Sequence, residues 1–247
     1  MTLIVTELSA YGIVMIEHKF PPTQGHTAGR TPRELDRLIA VQTVPHLPAG
    51  ICAWGTSVLP TDRGNTPVAD WLKDFCARHL HVEPVSDYAE ALAYALEDDV
   101  PALEEPLGFH IAGYVDVEGK PLPTLYHVRN NEAVLGAYYL HKFQPVQEFA
   151  PKDPGSGVFR IRSCDCERHG ALFERLEKIL PDIERDPETH LKMPHPSLEG
   201  RMAYLGACVN FASDLYASAA PQGTQNATIT MLGISPTGRF SYQTQGR

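Results

Sequence analysis

Threonine at position 2 carries more chemistry than any other single residue in this chain. Methionine before a small residue is normally trimmed, so the mature chain is expected to begin at Thr2. A threonine with a free α-amine holds a nucleophile and a base in one residue: the hydroxyl attacks and the amine takes its proton. An α-amine titrates near pH ~7.7–8, close to working pH, where a general base is most useful. A second constellation, Cys164-Asp165-Cys166 with Glu167 and His169, gathers metal-ligand types. No second Cys pair or matched His pair completes a tetrahedral set, so an exposed strand end is expected there and not a metal centre. Cys52, Cys76 and Cys208 lie in apolar patterns and read as core, while His79 and His81 sit at an expected helix end.

The elements that must position Thr2 begin at once. Leu3, Ile4, Val5 and Leu8 form one apolar run, and Ile13 to Ile16 form another. Ser9-Ala10-Tyr11-Gly12 divides them, a hairpin signal. Phe20 to Thr31, rich in Pro, Gly, Thr and His, reads as a loop leading out of the candidate site. Val41 to Val44 is a strand edge and Ala49 to Trp54 a buried strand. Thr66-Pro67 is expected to start a helix carrying Val68, Trp71, Leu72, Phe75 and Leu80. Ser86-Asp87 opens a second, with Tyr88, Leu92, Ala95 and Leu96 on one face.

Gly108 to Val115 and Leu122 to Val128 flank Glu118-Gly119-Lys120 as a second hairpin. Ala133 to Gly157 is loop-like. Phe159, Ile161 and Ser163 alternate with Arg160 and Arg162 as a half-exposed strand. A short helix over Leu172 to Leu180, a surface stretch over Pro181 to Pro196 and a longer helix over Ser197 to Ala219 follow. Ala227 to Ile234 is the last buried strand, succeeded by a polar tail. The pattern alone gives an α+β chain.

Three short motifs, in order, carry a resemblance. They are Thr2-Leu3-Ile4-Val5, Gly12-Ile13-Val14-Met15, and Ala49-Gly50-Ile51-Cys52-Ala53-Trp54-Gly55-Thr56. This part of the chain, Thr2 to about Asn130, resembles the proteasome β-subunit group of N-terminal-nucleophile hydrolases, which includes the bacterial HslV-type peptidase. The resemblance implies a four-layer αββα sandwich, with residues 1–247 as a single proteasome-β-like domain and an irregular insertion around 131–196. It implies amide-bond hydrolysis of peptides by Thr2, inside a homo-oligomeric ring served by an ATP-driven unfoldase, with no metal or organic cofactor.

The family's threonine works with an aspartate at the end of the return strand and a lysine on a following strand. Here the aspartate position falls on His18, or on Glu17 with a one-residue slip. The lysine position falls on Arg37, with Lys19 as the other choice. Glu17 keeps the negative charge on a longer arm, and arginine keeps a positive charge it cannot release. The Gly55-Thr56 step matches the turn that supplies the oxyanion amide, preceded here by Trp54 where the family has glycine. These departures leave a rival: a catalytically inactive assembly or binding protein on the same fold. A third reading is a small-molecule amidase or acylase of the same superfamily.

Composition narrows the classes. At 247 residues and 43% hydrophobic content the chain can bury one sizeable core. A net charge of -9 argues against a nucleic-acid footprint. No run of eighteen apolar residues suggests a membrane span. Five cysteines without regular spacing fit a reduced, cytoplasmic setting.

Overall fold

The computed structural model describes residues 2–19, 41–100, 103–130, 137–143, 158–164, 171–176, 178–179, 197–219 and 228–246. The chain opens on the expected hairpin, β1 (Thr2–Ser9) and β2 (Gly12–Lys19), in continuous register from Thr2↔Lys19 to Ser9↔Gly12. Gly12 makes the turn possible: its φ is +144°, and a Cβ there would press on the Ile234 carbonyl and Leu198. β3 (Gln42–Thr43) and β4 (Ala49–Gly55) follow. Then come β5 (Val58–Thr61), β6 (Gly64–Pro67), α1 (Val68–Arg78) and α2 (Val85–Asp99).

The second long hairpin is β7 (Leu107–Val117) with β8 (Lys120–Asn130). Its turn residues Glu118 and Gly119 both have positive φ, 55° and 77°, the pairing a two-residue hairpin turn demands. β9 (Tyr138–Phe143), β10 (Phe159–Cys164), helical residues 171–176, α3 (Leu198–Ala219), β11 (Thr228–Ile234) and β12 (Phe240–Gly246) complete the described chain.

The strands form two five-stranded sheets with antiparallel pairings, ordered β10-β1-β2-β11-β12 and β3-β4-β7-β8-β9, plus the small β5-β6 pair. Side-chain alternation along the strands sorts the core into three clusters. From β1 and β2, Leu3, Val5, Val14 and Ile16 pack with Met202, Leu205 and Val209 of α3. The opposite face of the same strands sends Ile4, Leu8, Ile13 and Met15 against Cys52, Ala112 and Leu125 of the second sheet. The far face of that second sheet, through Ile51, Phe109 and Val128, packs with Trp71, Phe75, Tyr88 and Leu92 of α1 and α2. Each large side chain so buried contributes about 1.5–3 kcal/mol.

Three local expectations are corrected. Thr66 does not cap α1: it is in β6, its hydroxyl against Thr61 Oγ1 at 3.0 Å, and Pro67 takes the cap position. The stretch read as loop from 133 holds β9, paired along β8. The polar tail is also a strand, β12, whose polarity suits the outer edge of its sheet. Among the described residues no helix is long and apolar enough to cross a membrane.

Candidate active site

Thr2 is the first residue of β1 and pairs with Lys19, which in turn pairs with Thr228. Thr2 has the register parity of Ile4, Thr6 and Leu8, whose side chains face the second sheet. That face grades from apolar to polar. Its far row is Phe159, Leu8, Ile13 and Ile234. The next is Ile161, Thr6, Met15 and Leu232. Then come Ser163, Ile4, Glu17 and Thr230, and last the row of Thr2, Lys19 and Thr228.

The hairpin separates the two residues proposed for the aspartate position. Glu17 shares the face of Thr2, is 1% exposed, and lies diagonal to Thr2 across the β1–β2 pair. His18 is on the other face, against α3, where its ring accompanies the Ser213 hydroxyl at 3.0 Å. Ser213 donates to Val209 O at 2.8 Å, so its oxygen is the acceptor for a His18 N–H. Arg37 lies outside the described residues, as does most of the Cys164–His169 constellation.

Gly55 ends β4 with φ +96°, and a Cβ there would overlap the Pro106 carbonyl. Thr56 N–H donates to Pro106 O at 2.9 Å, while Leu107 N–H turns away to Asn130 Oδ1 at 2.9 Å. An antiparallel ladder alternates, so Trp54 and Thr56 commit their amides to β7 and Gly55 N–H lies on the opposite side of β4.

Sequence reasoning missed the polar groups behind this end. His110, on β7 and fully buried, bridges the two sheets: Nδ1 is 2.9 Å from Thr6 Oγ1 and Nε2 is 3.0 Å from Ser163 Oγ. Burial holds His110 well below the ordinary imidazole range, with the neighbouring His127 adding to the effect. His127 faces it edge-on with ring centroids 4.9 Å apart and accepts a hydrogen bond from Trp54 Nε1 at 3.2 Å. Burial lowers His127 to about 4, helped by Arg129 and His141. The indole reaches across β7 only because residue 108 is glycine; a Cβ there would overlap the ring. Cys52, beside Thr6, is pushed up by burial and then by the charge of Glu17.

The signal was present in parity. Thr6 and Ser163 fall on the inward face of strands whose other inward residues are apolar, and His110 interrupts the apolar run of β7. Glu7, on the opposite face of β1, was likewise unread. Its carboxylate is fully buried and accepts from Arg201 Nε at 2.7 Å, Arg201 Nη2 at 2.6 Å and Arg160 Nε at 2.6 Å. Among the described residues no three His, Cys, Asp or Glu side chains are grouped to hold a metal ion.

Fold and site together define a mixed α and β protein on antiparallel sheets, with a polar pole where its first strand begins. No protein-family model matches the chain, and no curated protein does. Among solved structures it is similar to Anbu (ancestral beta-subunit) from Yersinia bercovieri, with a TM-score of 0.45 and 10% identity, over 100% of this chain and 86% of that one.

Proposed function

We propose that the chain is an N-terminal threonine hydrolase of proteasome-like, four-layer αββα architecture that cleaves peptide amide bonds. The observation that carries the reading is the register of the first hairpin. In that register Thr2 pairs with Lys19 and is diagonal to the buried Glu17, with the parity of the strand residues that face the second sheet, which supports the reading. The three core clusters support four layers within one domain, with β9 and β10 of the 131–196 span joined to the two sheets.

In this mechanism the Thr2 hydroxyl attacks the substrate carbonyl carbon as its proton passes to the α-amine. The Gly55 amide, directed away from β7, donates to the oxyanion. The C–N bond breaks, the leaving amine takes the proton from the α-ammonium, and water hydrolyses the ester to free Thr2. Glu17 orients the α-ammonium, and the cation beside it comes from Arg37 or Lys19. His18 serves α3 instead. Exposed Phe211 and Leu215 on α3 and Phe240 and Tyr242 on β12 support self-association, a ring that an ATP-driven unfoldase would feed.

The test is covalent labelling by a threonine-directed β-lactone, with intact mass as the companion measurement. The wild-type chain is expected to lack Met1 and take one equivalent; Thr2→Ala is expected to take none. Unchanged labelling of Thr2→Ala refutes the assignment. The rival, an inactive assembly protein on the same fold, draws support from the absence of aspartate at both 17 and 18. Retention of Met1 in the native protein would select it.

A further inference from the structure

We infer that β12 is a docking edge for a second copy of this chain, the two strands running antiparallel about a two-fold axis at Tyr242. The inference goes beyond the hydrolase reading and does not depend on Thr2. The two large sheets have four edge strands, β10, β12, β3 and β9. An edge strand presents a row of unpaired N–H and C=O groups, and proteins blunt such rows with charge, proline or shortness. β10 carries Arg160 and Arg162, and β9 carries His141 and Lys142. β3 is two residues long, with Pro45 soon after it. β12 has none of these devices. Its sequence, Phe-Ser-Tyr-Gln-Thr-Gln-Gly, holds no charge and no proline.

The apolar inner face of the first sheet also runs on into this edge. Phe240 pairs with Ile234 and Tyr242 with Leu232, and both partners are fully buried between the sheets. Residues paired across two strands share a face. Phe240 and Tyr242 are nevertheless 43% and 55% exposed, so the cover that the second sheet gives β11 stops before β12. Exposed aromatic side chains grouped on an unpaired, uncharged edge mark an association surface. A second copy fits it because the strand is complementary to itself. With the axis at Tyr242, that ring meets its own counterpart. Phe240 meets Thr244, an aromatic against a β-branched side chain. On the side of α3, Ser241 meets Gln243, a hydroxyl against an amide. Aromatic–aromatic and aromatic–β-branched pairs stabilise antiparallel strands, and no like charges are opposed. Each copy carries a net charge of -9, which makes a neutral strand the suitable place for two to meet. The first sheet then continues as a single sheet through both copies. A two-fold contact closes on itself: it covers both edges, joins copies in pairs and leaves a ring to other surfaces.

Sedimentation velocity over a concentration series reads the mass of the full chain and its variants. The wild type is expected to exceed the 27.3 kDa of one chain. Tyr242→Lys sets two ammonium groups face to face on the axis, and Phe240→Lys with Thr244→Lys sets two such pairs beside it. Each is expected to lower the mass at least twofold. Phe240→Lys with Thr244→Glu opposes unlike charges and should keep the wild-type mass. Cross-linking reads the register. Ser241→Cys mixed with Gln243→Cys puts two thiols on opposed residues, whose Cα atoms lie about 4.5–5.5 Å apart, within disulfide reach. A mild oxidant should link that mixture into dimers on non-reducing gels, beyond the background of the wild-type cysteines and of either variant alone. A wild type that stays at the mass of one chain overturns the inference, as does a mass unchanged in Tyr242→Lys and in Phe240→Lys with Thr244→Lys. A mixture that links no better than its single variants overturns it too. None of these readings involves Thr2, so the β-lactone test of the hydrolase reading stands or falls separately.

Discussion

Thr6 and Glu7 are neighbours on one strand, both fully buried, and they solve burial in opposite ways. Toward α3, Glu7 is a charge met by charges: two guanidiniums close on its carboxylate, and the Tyr204 ring lies against both, 4.9 Å from Arg201 and 5.7 Å from Arg160. Toward the second sheet, Thr6 enters a neutral chain of hydroxyl, imidazole and hydroxyl that runs through His110 to Ser163. An ion cluster of this kind fixes strand to helix, and its energy depends on every partner staying in place. A neutral chain costs less to bury and can reverse its donors. The two faces of β1 divide a charged anchor from a neutral network.

The largest effect that tests this division is expected from Glu7→Ala. Removing the carboxylate leaves Arg201 buried without its partner and should cost about 3–5 kcal/mol in urea unfolding. Labelling of Thr2 by the β-lactone should persist in the molecules that remain folded. Loss of labelling without loss of stability would break the comparison. Gly108→Ala comes next. Its methyl displaces the indole from above β7, an overpacking expected to cost about 1–3 kcal/mol. The Trp54–His127 bond opens, so the tryptophan emission should change and the His127 titration, followed by NMR, should rise from about 4 toward its ordinary value.

A third test is pH. His110 and His127 are depressed in the folded chain, so between about pH 6.5 and 4 the unfolded chain binds more protons. Stability should be complete above that window and fall as pH drops through it, read as a urea midpoint lower at pH 5 than at pH 7.5. His110→Leu should flatten this dependence; a wild-type midpoint that does not move would sink the neutral-network account. The smallest effect belongs to Glu174, an exposed carboxylate paired with Arg162 and Lys178 and lowered first by Lys178. Glu174→Gln should leave the midpoint unchanged, in contrast with Glu7 on the same side of the sheet.

The contrast also explains what could be read in advance. The two long hairpins were legible because local patterns encode them: apolar alternation around Gly12, and a positive-φ turn at Glu118-Gly119. The β5–β6 pair was hidden by Pro60, Gly64 and Asn65, which carry no apolar period. β12 was hidden by an edge position that favours polar residues. Thr2, Glu17 and His18 could be placed on paired strands from sequence because they sit in the first hairpin, whose register is local. That Glu17 and His18 face opposite sides of the sheet needed the pleat, since a slip of one residue changes face. His110 could not be found that way: its partners are 104 and 53 residues distant along the chain, and only the stacking of sheets brings them together.

The hairpin that bears Thr2 is central in its sheet, with β10 on one flank and β11 on the other. Both neighbours lie far downstream, so during synthesis the hairpin is made well before the strands that flank it. Long-range strand pairing of this kind is slow and leaves apolar edges open to other chains meanwhile. The hairpin therefore keeps both of its edges open until translation has passed β11, the later of the two strands that flank it.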